Sequence, residues 1–282
     1  MKKLIAGFLI ALTSAVASAN TKLNLVTHYP PGGTVDTLMQ QVKTILTSKN
    51  FDVEVIYVKT CGEAMNIRDK NKNTIQVMFS SDFRPGDSNA VCVMDPRQDS
   101  INLVASFTSN PYYICNAPGK NFTVDNFKEE ITIGIVRDTD EYASYLLENF
   151  PSKTNVKLLP YRGGSLLAKA ITAGDVDMWI GSTGAIRRFP ESNCIGSTVK
   201  DDVRGKPFLG SILNKPLIEI RSVDLFFAKN NNLTSDVINS FKELPNSPDL
   251  KLFLEKGNIS AVKNSPEDVL KEVINLYNTT KK

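Results

Sequence analysis

Residues 28–42, HYPPGGTVDTLMQQV, place two prolines and two glycines between a β-branched run and an amphipathic helical pattern. A helix N-terminus presents unpaired backbone N–H groups and the positive end of the helix dipole, and both favour anions. Gly32 and Gly33 let the backbone approach a ligand closely, while Pro30 and Pro31 stiffen the turn. This spacing suits carboxylate binding by backbone amides, although such a turn standing alone is more often simple punctuation.

Residues able to carry covalent or metal chemistry are few. The chain has one histidine, His28, and four cysteines, which are Cys61, Cys92, Cys115 and Cys194. No CxxC pair and no Cys/His metal spacing occurs, which argues against a zinc site. Four cysteines allow three disulfide pairings that the sequence leaves open. A histidine triad would have to use His28, and no Gly-x-Ser-x-Gly motif accompanies it. We therefore expect a protein that is not an enzyme and has no metal and no cofactor.

β-branched runs alternate with helical patterns in two series. The predicted strands are 22–27, 52–58, 74–80, 131–136, 156–161 and 176–181. The predicted helices are 34–47, 63–69, 141–149 and a segment after 164. Strand, turn and helix repeated in this way predict an α/β fold with two lobes, each a mostly parallel sheet flanked by helices. Sheets of this kind bind ligands beyond the carboxyl ends of their strands.

The N-terminus predicts export. Lys2 and Lys3 precede an apolar run, and a small-residue stretch ends at Ala17-Ser18-Ala19. This pattern is typical of a signal peptide over residues 1–19, cleaved after Ala19, and its apolar part is shorter than the roughly 20 residues that span a bilayer. We expect the mature chain in the periplasm, where disulfides form. The formal net charge of +3 indicates no nucleic-acid partner.

A second motif, LLPYRGGSLLAKAITAGDVDMWIGS, covers residues 158–182. Together with VTHYPPGGTVDTLMQQV at 26–42, it resembles the substrate-binding proteins of tripartite tricarboxylate transporters, the Bordetella-uptake-type receptors. In that family a strand runs into a Pro-Gly-Gly-x-x-Asp loop, and a later Pro-Tyr-Lys-Gly-Gly segment leads through a helix to a Gly-x-Val-Asp strand. Both motifs occur here in the family's order and at about its separation, and the similarity runs loosely from about Leu23 to Tyr277.

The resemblance implies a two-lobed, type II-like periplasmic binding protein with its ligand cleft between the lobes. One lobe would hold residues 20–115 and 223–282, the other 116–222. It implies a small organic acid as ligand, gripped largely by backbone amides, hydroxyls and water, and closure of the lobes by a hinge movement. The partners it implies are the ligand and, transiently, the subunits of a membrane permease. We expect a monomer.

Carried over position by position, the resemblance assigns ligand-binding residues to both lobes. Those in the first lobe are Tyr29, Pro31, Gly32, Gly33, Thr34, Asp36, Ser80 and Ser81. Those in the second lobe are Arg137, Thr139, Tyr161, Gly163, Gly164, Ser182 and Thr183. Asp36 and Asp177 are expected to support a loop or a helix, because a bare carboxylate facing an anionic ligand would repel it.

Two segments depart from the family's pattern. VRDTDEYAS stands where the family usually has a small Gly/Ser-rich turn. Arg137 would pair there with a second carboxylate, or Asp138 and Asp140 would neutralise it and suit an amine instead. A receptor for amino acids or cations with another permease therefore stays open, and less readily a secreted α/β hydrolase. CGEAMNIRDK replaces a glycine-rich stretch, so a disulfide at Cys61 is an alternative to a free loop.

Overall fold

A computed structural model of the chain describes residues 20–83, 92, 100–123, 130–136, 140–150, 156–161, 163–183, 189, 192–202 and 204–280. The predicted signal peptide, 1–19, lies outside the described residues, as do Arg137 and Thr139 of the predicted site. Among the described residues, no helix combines the length and apolarity needed to cross a membrane.

Strands and helices alternate along the described chain. The strands are β1 (Thr21–Thr27), β2 (Phe51–Tyr57), β3 (Thr74–Phe79), β4 (Ile101–Ala105), β5 (Ser109–Asn116), β6 (Ile131–Val136), β7 (Val156–Tyr161), β8 (Met178–Ser182), β9 (Cys194–Ser197) and β10 (Arg221–Lys229). The helices are α1 (Thr34–Ser48), α2 (Cys61–Lys70), α3 (Asp140–Glu148), α4 (Gly164–Ala173), α5 (Leu209–Ile212), α6 (Ser235–Glu243), α7 (Pro248–Lys256) and α8 (Pro266–Thr280). Short 3₁₀ turns occupy Ser80–Asp82 and Leu244–Asn246.

Local sequence explains the first elements. β1 buries side chains on both faces, including Leu23, Leu25 and Val26, because helices cover both sides of a parallel sheet. α1 buries a stripe of apolar residues with helical spacing, Val35, Leu38, Met39, Val42, Ile45 and Leu46. α2 begins two residues before the prediction because Thr60 and Glu63 form a capping box around its first turn.

The strand order separates two halves. The path is β2-β1-β3-β10-β5-β8-β6-β7, with β4 on β10 and β9 on β5. β1 runs parallel to β2 and β3, and β6 runs parallel to β7 and β8. β10 and β5 are antiparallel to their neighbours, and they meet each other only through Arg221–Val223 and Ser109–Pro111. These two strands therefore link the halves at one narrow crossing.

Each half has its own hydrophobic core. In the first half, Leu25, Val77 and Phe226 of the sheet pack with residues of α1 and α6. In the second half, Ile133 and Ile180 pack with residues of α3 and α5. The two cores, each formed by helices packed on a sheet, confirm the predicted α/β fold. Among the described strands each sheet is mixed, with antiparallel pairs formed by β5 and β10 beside the parallel pairs of β1 and β6.

The C-terminal helix α8 touches both halves. Val269 and Val273 belong to a second core cluster of the first half, which also contains Leu225 and Phe227 of β10. Leu276, one turn further on, packs against the core of the second half. This helix is thus a second connection between the halves, beside the crossing of β5 and β10.

Each disulfide joins two segments of the same half, one disulfide in each half. Cys61 at the start of α2 bonds to Cys92. Of the two alternatives for this segment, a disulfide at Cys61 or a free loop, the structure contains the disulfide. Cys115 of β5 bonds to Cys194 on the neighbouring strand β9. Neither bond crosses between the halves, so neither restricts their relative movement directly.

The predicted lobe boundary at 115/116 falls inside β5. Tyr112–Asn116 of that strand pair with β8 in the second half, and Ser109–Pro111 pair with β10. The predicted lobe limits, 20–115 with 223–282 and 116–222, stay a prediction, and we propose that the chain crosses between lobes at 109–111.

Candidate ligand-binding site

A cavity of about 260 Å³ lies at the N-terminus of α1. Its walls come from the glycine turn at Gly32 and Gly33, the end of β3, the residues from Thr108 to Pro111 (the crossing segment), and α7 with the residues that follow it (the α7 region). The lining residues are Gly32, Gly33, Thr34, Thr37, Leu38, Phe79, Thr108, Asn110, Phe253 and Ile259. Every lining side chain is uncharged, and the volume suits a small organic molecule.

The glycine turn has a defined geometry. Gly32 has a φ of +84°, in the left-handed region, where a residue with a Cβ is strained. Gly33 precedes the first helical residue with an ordinary φ of −87°. Its carbonyl accepts from the Thr37 amide at 3.0 Å and the Thr37 hydroxyl at 2.9 Å. The turn thus leads directly into the first turn of α1, beside the cavity.

The Asp36 side chain stabilises this turn by hydrogen bonding. Its carboxylate accepts from the Gly32 amide at 2.6 Å and from the Tyr57 hydroxyl at 2.5 Å. Partial burial disfavours its charge, but the bonds from Tyr57, Gly32 and Gln40 lower the pKa of Asp36 below its ordinary value. Asp36 does not line the cavity, and its contacts suit the expected role in supporting the loop.

The other residues predicted for the first lobe do not line the cavity, and two of them, Tyr29 and Ser80, form hydrogen bonds within the fold. The Tyr29 hydroxyl donates to the buried carboxylate of Asp82. The Ser80 hydroxyl accepts from the Val223 amide of β10 at 3.0 Å. Ser81 is buried, and within the described chain its hydroxyl has no hydrogen-bond partner. Pro31 is exposed in the turn and does not line the cavity.

His28 lies in a compact cluster behind Tyr29. Its Nε2 is 2.8 Å from Oδ2 of Asp82, which is 1% exposed. Ligand atoms of His28, Cys61 and Cys92 lie within 4.8 Å of one another, a proximity that the sequence spacing does not predict. Because the two sulfurs form a disulfide, neither is available as a thiolate for a metal.

The described residues among those predicted for the second lobe lie at or just beyond the carboxyl ends of β7 and β8. Gly163 has a φ of +94° before α4, and its amide donates to the Tyr161 carbonyl at 2.9 Å. Ser182 ends β8, and the buried Thr183 lies beside the Tyr113 hydroxyl. These residues, with Gly164, share one edge of the second sheet, and none of them lines the cavity of the first half.

Asp177 supports the second sheet, as expected for a residue outside the ligand contacts. Its carboxylate accepts from the Thr132 amide at 3.0 Å and lies 2.9 Å from the Lys120 ammonium. Burial raises the pKa of Asp177, but these two partners outweigh it and lower the pKa overall.

Sequence reasoning missed the residues of the crossing segment. Thr108 and Asn110 line the cavity beside the fully buried Asp224 of β10. The Asp224 carboxylate accepts from the Phe107 amide at 3.0 Å and from the Thr108 amide at 2.5 Å. Burial raises the pKa of Asp224 to about 6, against the opposing effect of these bonds and of the Thr108 hydroxyl. The back wall of the cavity is therefore a polar network.

Phe79, Phe253 and Ile259 complete the lining from three separate segments. Phe253 lies on α7 and Ile259 follows that helix, about 220 residues after the glycine turn. No local pattern in the sequence connects these positions with the turn. They add apolar surface to a lining that also contains the polar side chains of Thr108 and Asn110.

No protein-family profile matches the sequence, and no curated protein sequence matches it. Solved structures do match. MatC from Rhodopseudomonas palustris with bound malate has a TM-score of 0.70 and 16% identity, over 93% of this chain and 99% of that one. An R. palustris protein solved with adipate has a TM-score of 0.74 and 14% identity, over 92% and 96%.

The periplasmic binding protein BugD is a third such structure, with a TM-score of 0.73 and 12% identity, over 91% of this chain and 95% of that one. At these identities the likeness concerns the fold, and it extends over nearly the whole chain. The predicted two-lobed architecture is therefore confirmed: the chain has the fold of the periplasmic binding protein BugD and of MatC.

Proposed function

We propose that this protein is an extracytoplasmic receptor that binds a small organic acid and delivers it to a tripartite tricarboxylate-type membrane permease. The observation that carries the proposal is the cavity at the N-terminus of α1, bounded by Gly32, Gly33 and Thr34 on one side and by the crossing segment on another. The neighbours solved with malate and with adipate, both carboxylates, support the choice of ligand class.

Electrostatics favours an anion at this position. The amides that follow Gly33 belong to the first turn of a 15-residue helix, where the backbone offers donors and a partial positive charge. Asp36 is the acidic residue of that turn, and its carboxylate is directed to the Gly32 amide and Tyr57. A ligand carboxylate can therefore take the remaining amides while the Asp36 carboxylate is held toward these two donors.

The second half would complete the site on closure. Tyr161, Gly163, Gly164, Ser182 and Thr183, with Arg137 and Thr139, are the proposed contacts from that side. Tyr161, Gly163 and Ser182 lie at strand ends, the edge at which sheets of this type bind ligands. The narrow crossing at 109–111 and 221–223 suits a hinge between the lobes.

We also propose where this receptor acts and with which partners. The signal peptide over residues 1–19 would direct the chain to the periplasm and be removed after Ala19. The receptor would act as a monomer, contact the permease transiently and leave its ligand chemically unchanged. It would need no cofactor and bind no nucleic acid.

Calorimetric titration of the mature chain, residues 20–282, tests the function. The titrants are mono-, di- and tricarboxylates, each with its uncharged amide as the matched control. We expect saturable binding of at least one carboxylate and none of its amide. At a ligand concentration one hundred times Kd, the folded state should gain about 2.7 kcal/mol, seen as a raised Tm.

Two outcomes would contradict the proposal. Conversion of a stoichiometric excess of the ligand, followed by NMR, would indicate an enzyme. Binding of amines or polyamines and of no carboxylate would favour the alternative receptor for cationic solutes, to which the acidic run at Asp138 and Asp140 points. Amino acids carry both groups, so they are titrated together with the corresponding des-amino acids.

A further inference from the structure

The hydrogen bonds behind the cavity have a fixed polarity. Above its pKa of about 6, the carboxylate of Asp224 has no proton to donate, and it accepts from the amides of Phe107 and Thr108. The Thr108 hydroxyl also lowers the pKa of Asp224, which is the effect of a hydroxyl proton turned toward the carboxylate. The Thr108 oxygen is then available only as an acceptor for a third group.

That third group is the side-chain amide of Asn110. Nδ2 of Asn110 donates to Oγ1 of Thr108 at 3.2 Å. The reverse orientation would bring two acceptors together, since the Thr108 proton is already used. The charge of Asp224 thus sets the orientation of the Asn110 amide through Thr108, and Oδ1 is the end left for another partner.

Oδ1 of Asn110 is buried and has no hydrogen-bond partner within the described chain. The residue is 2% exposed and lines the cavity together with Thr108. A buried acceptor without a donor weakens a structure, so a molecule that brings a donor to this position gains affinity. A molecule of the same shape without the donor leaves the acceptor unpaired.

We propose that Asn110 determines ligand specificity by accepting a hydrogen bond from a donor group on the bound acid. The preferred ligand then carries a hydroxyl or an ammonium group beside its carboxylate, and the unsubstituted acid binds more weakly. This inference rests on the proposed function, in which the carboxylate lies at the N-terminus of α1. The donor group would lie at the opposite, crossing-segment wall.

Matched acids that share a carbon skeleton test the inference by calorimetry on the mature chain. The series are propionate, lactate and alanine, and succinate, malate and aspartate. We expect the hydroxy or the amino member to bind at least about tenfold more tightly than the unsubstituted acid, the factor that one added hydrogen bond of 1.4 kcal/mol supplies. The hydroxy and amino members show which donor the site prefers.

Three variants separate Asn110 from its supporting residue. Asn110→Leu removes the acceptor at similar volume and should reduce the ratio of affinities to about one. Thr108→Val, which is nearly isosteric, removes the bond that orients the amide and should reduce the ratio in part. Thr108→Ser keeps the hydroxyl and should restore the ratio. Thermal unfolding of each variant checks that it is folded.

The outcomes distinguish this inference from the function on which it rests. Equal affinities within a series, or an unchanged ratio in Asn110→Leu, overturn the role of Asn110 while leaving a carboxylate receptor. No binding of any acid contradicts the proposed function and the inference with it. If Asn110→Leu does not fold, an unchanged ratio in Thr108→Val overturns the inference instead.

Discussion

The two halves of the molecule share a glycine turn at the start of a helix, but the residues around the two turns differ. In each, a strand ends in a glycine turn that starts a helix, at Gly32-Gly33 before α1 and at Gly163-Gly164 before α4. Only the first turn lines the described cavity, because Thr108, Asn110 and the α7 region supply the rest of its lining. A glycine turn is therefore a potential site, and distant segments decide whether it becomes a cavity.

The turns also differ in how they are held. Asp36 clamps the first turn by a side-chain bond to the Gly32 amide. In the second turn, the bond seen among the described residues runs between backbone groups, from the Gly163 amide to the Tyr161 carbonyl. This difference suggests that the first half is organised before the ligand arrives, whereas the second half contributes on closure.

The disulfides give the largest expected effects on stability and compare the halves directly. Replacing Cys115 and Cys194 by serine opens a separation of 79 residues, and replacing Cys61 and Cys92 opens one of 31. Chain-entropy arguments give losses of about 4.5 and about 3.7 kcal/mol respectively. Urea unfolding of both double variants measures this order, and a larger loss from the first-half pair would show that native-state packing, not loop length, governs the difference.

Valine substitutions compare the two glycine turns in binding. A Cβ at Gly33 would meet nothing closer than the Pro30 carbonyl at 3.7 Å, and one at Gly164 would meet nothing within 4 Å. Both variants should fold. Gly33→Val should weaken carboxylate binding by about a hundredfold because it fills the anion position, and Gly164→Val should weaken it less.

Calorimetry on Gly33→Val, Gly164→Val and Gly33→Ala measures this comparison. The alanine variant, with a smaller side chain, should lie between wild type and valine. Equal losses at Gly33 and Gly164 would show that the ligand depends on both turns alike, and the contrast between the halves would then be wrong.

The crossing between the halves should give stability a specific pH dependence. Asp224 has a pKa of about 6 in the folded protein, above its ordinary value of 3.8, so the folded state binds the extra proton between these values. Its contribution to stability is fully present below the unfolded pKa and is lost as the pH rises through the folded pKa. The difference corresponds to roughly 3 kcal/mol.

Urea unfolding of wild type and Asp224→Asn between pH 4 and 7 tests this dependence. The variant should be less stable at pH 4, because its Nδ2 would face a backbone amide. Its disadvantage should shrink by pH 7, where wild type carries the buried charge. A difference that is independent of pH would contradict the raised pKa of Asp224.

The smallest expected effect concerns Asp36. Asp36→Asn should weaken carboxylate binding several-fold, since the loop loses its charged clamp while the amides of α1 remain. Because the pKa of Asp36 is lowered, its contribution in wild type is present above the unfolded pKa and disappears as the pH falls through the folded one. Calorimetry of both proteins near neutral pH and near pH 4 checks this, and tighter binding by Asp36→Asn would show that Asp36 repels the ligand.

Local patterns predicted the parallel strands well. β6 and β7 have the predicted bounds, β1 and β3 differ from the prediction by one residue at one end, and β2 is shifted by one residue at both ends. These strands are runs of β-branched residues between turn signals, so their pattern is contained in a few neighbouring residues. The two glycine turns were predicted for the same reason, since each is a motif of a few neighbouring residues.

The antiparallel strands β5 and β10 were not predicted. Asn110 of β5 lines the cavity, so this part of the site was not predicted either. β5 contains Pro111 and polar residues, and it pairs with β8, β9 and β10, which are far away in the chain. The proposed role of Asn110 depends on Thr108, whose amide donates to the Asp224 carboxylate of β10 more than one hundred residues away. The disulfide partners likewise needed the fold, since three pairings fitted the sequence.

A crystal structure of the mature chain with its tightest-binding carboxylate tests the central claim most directly. The account predicts a carboxylate group within hydrogen-bond distance of the amides that follow Gly33, in the cavity bounded by Thr108 and Asn110. A carboxylate bound elsewhere, with this cavity occupied only by water, would contradict it.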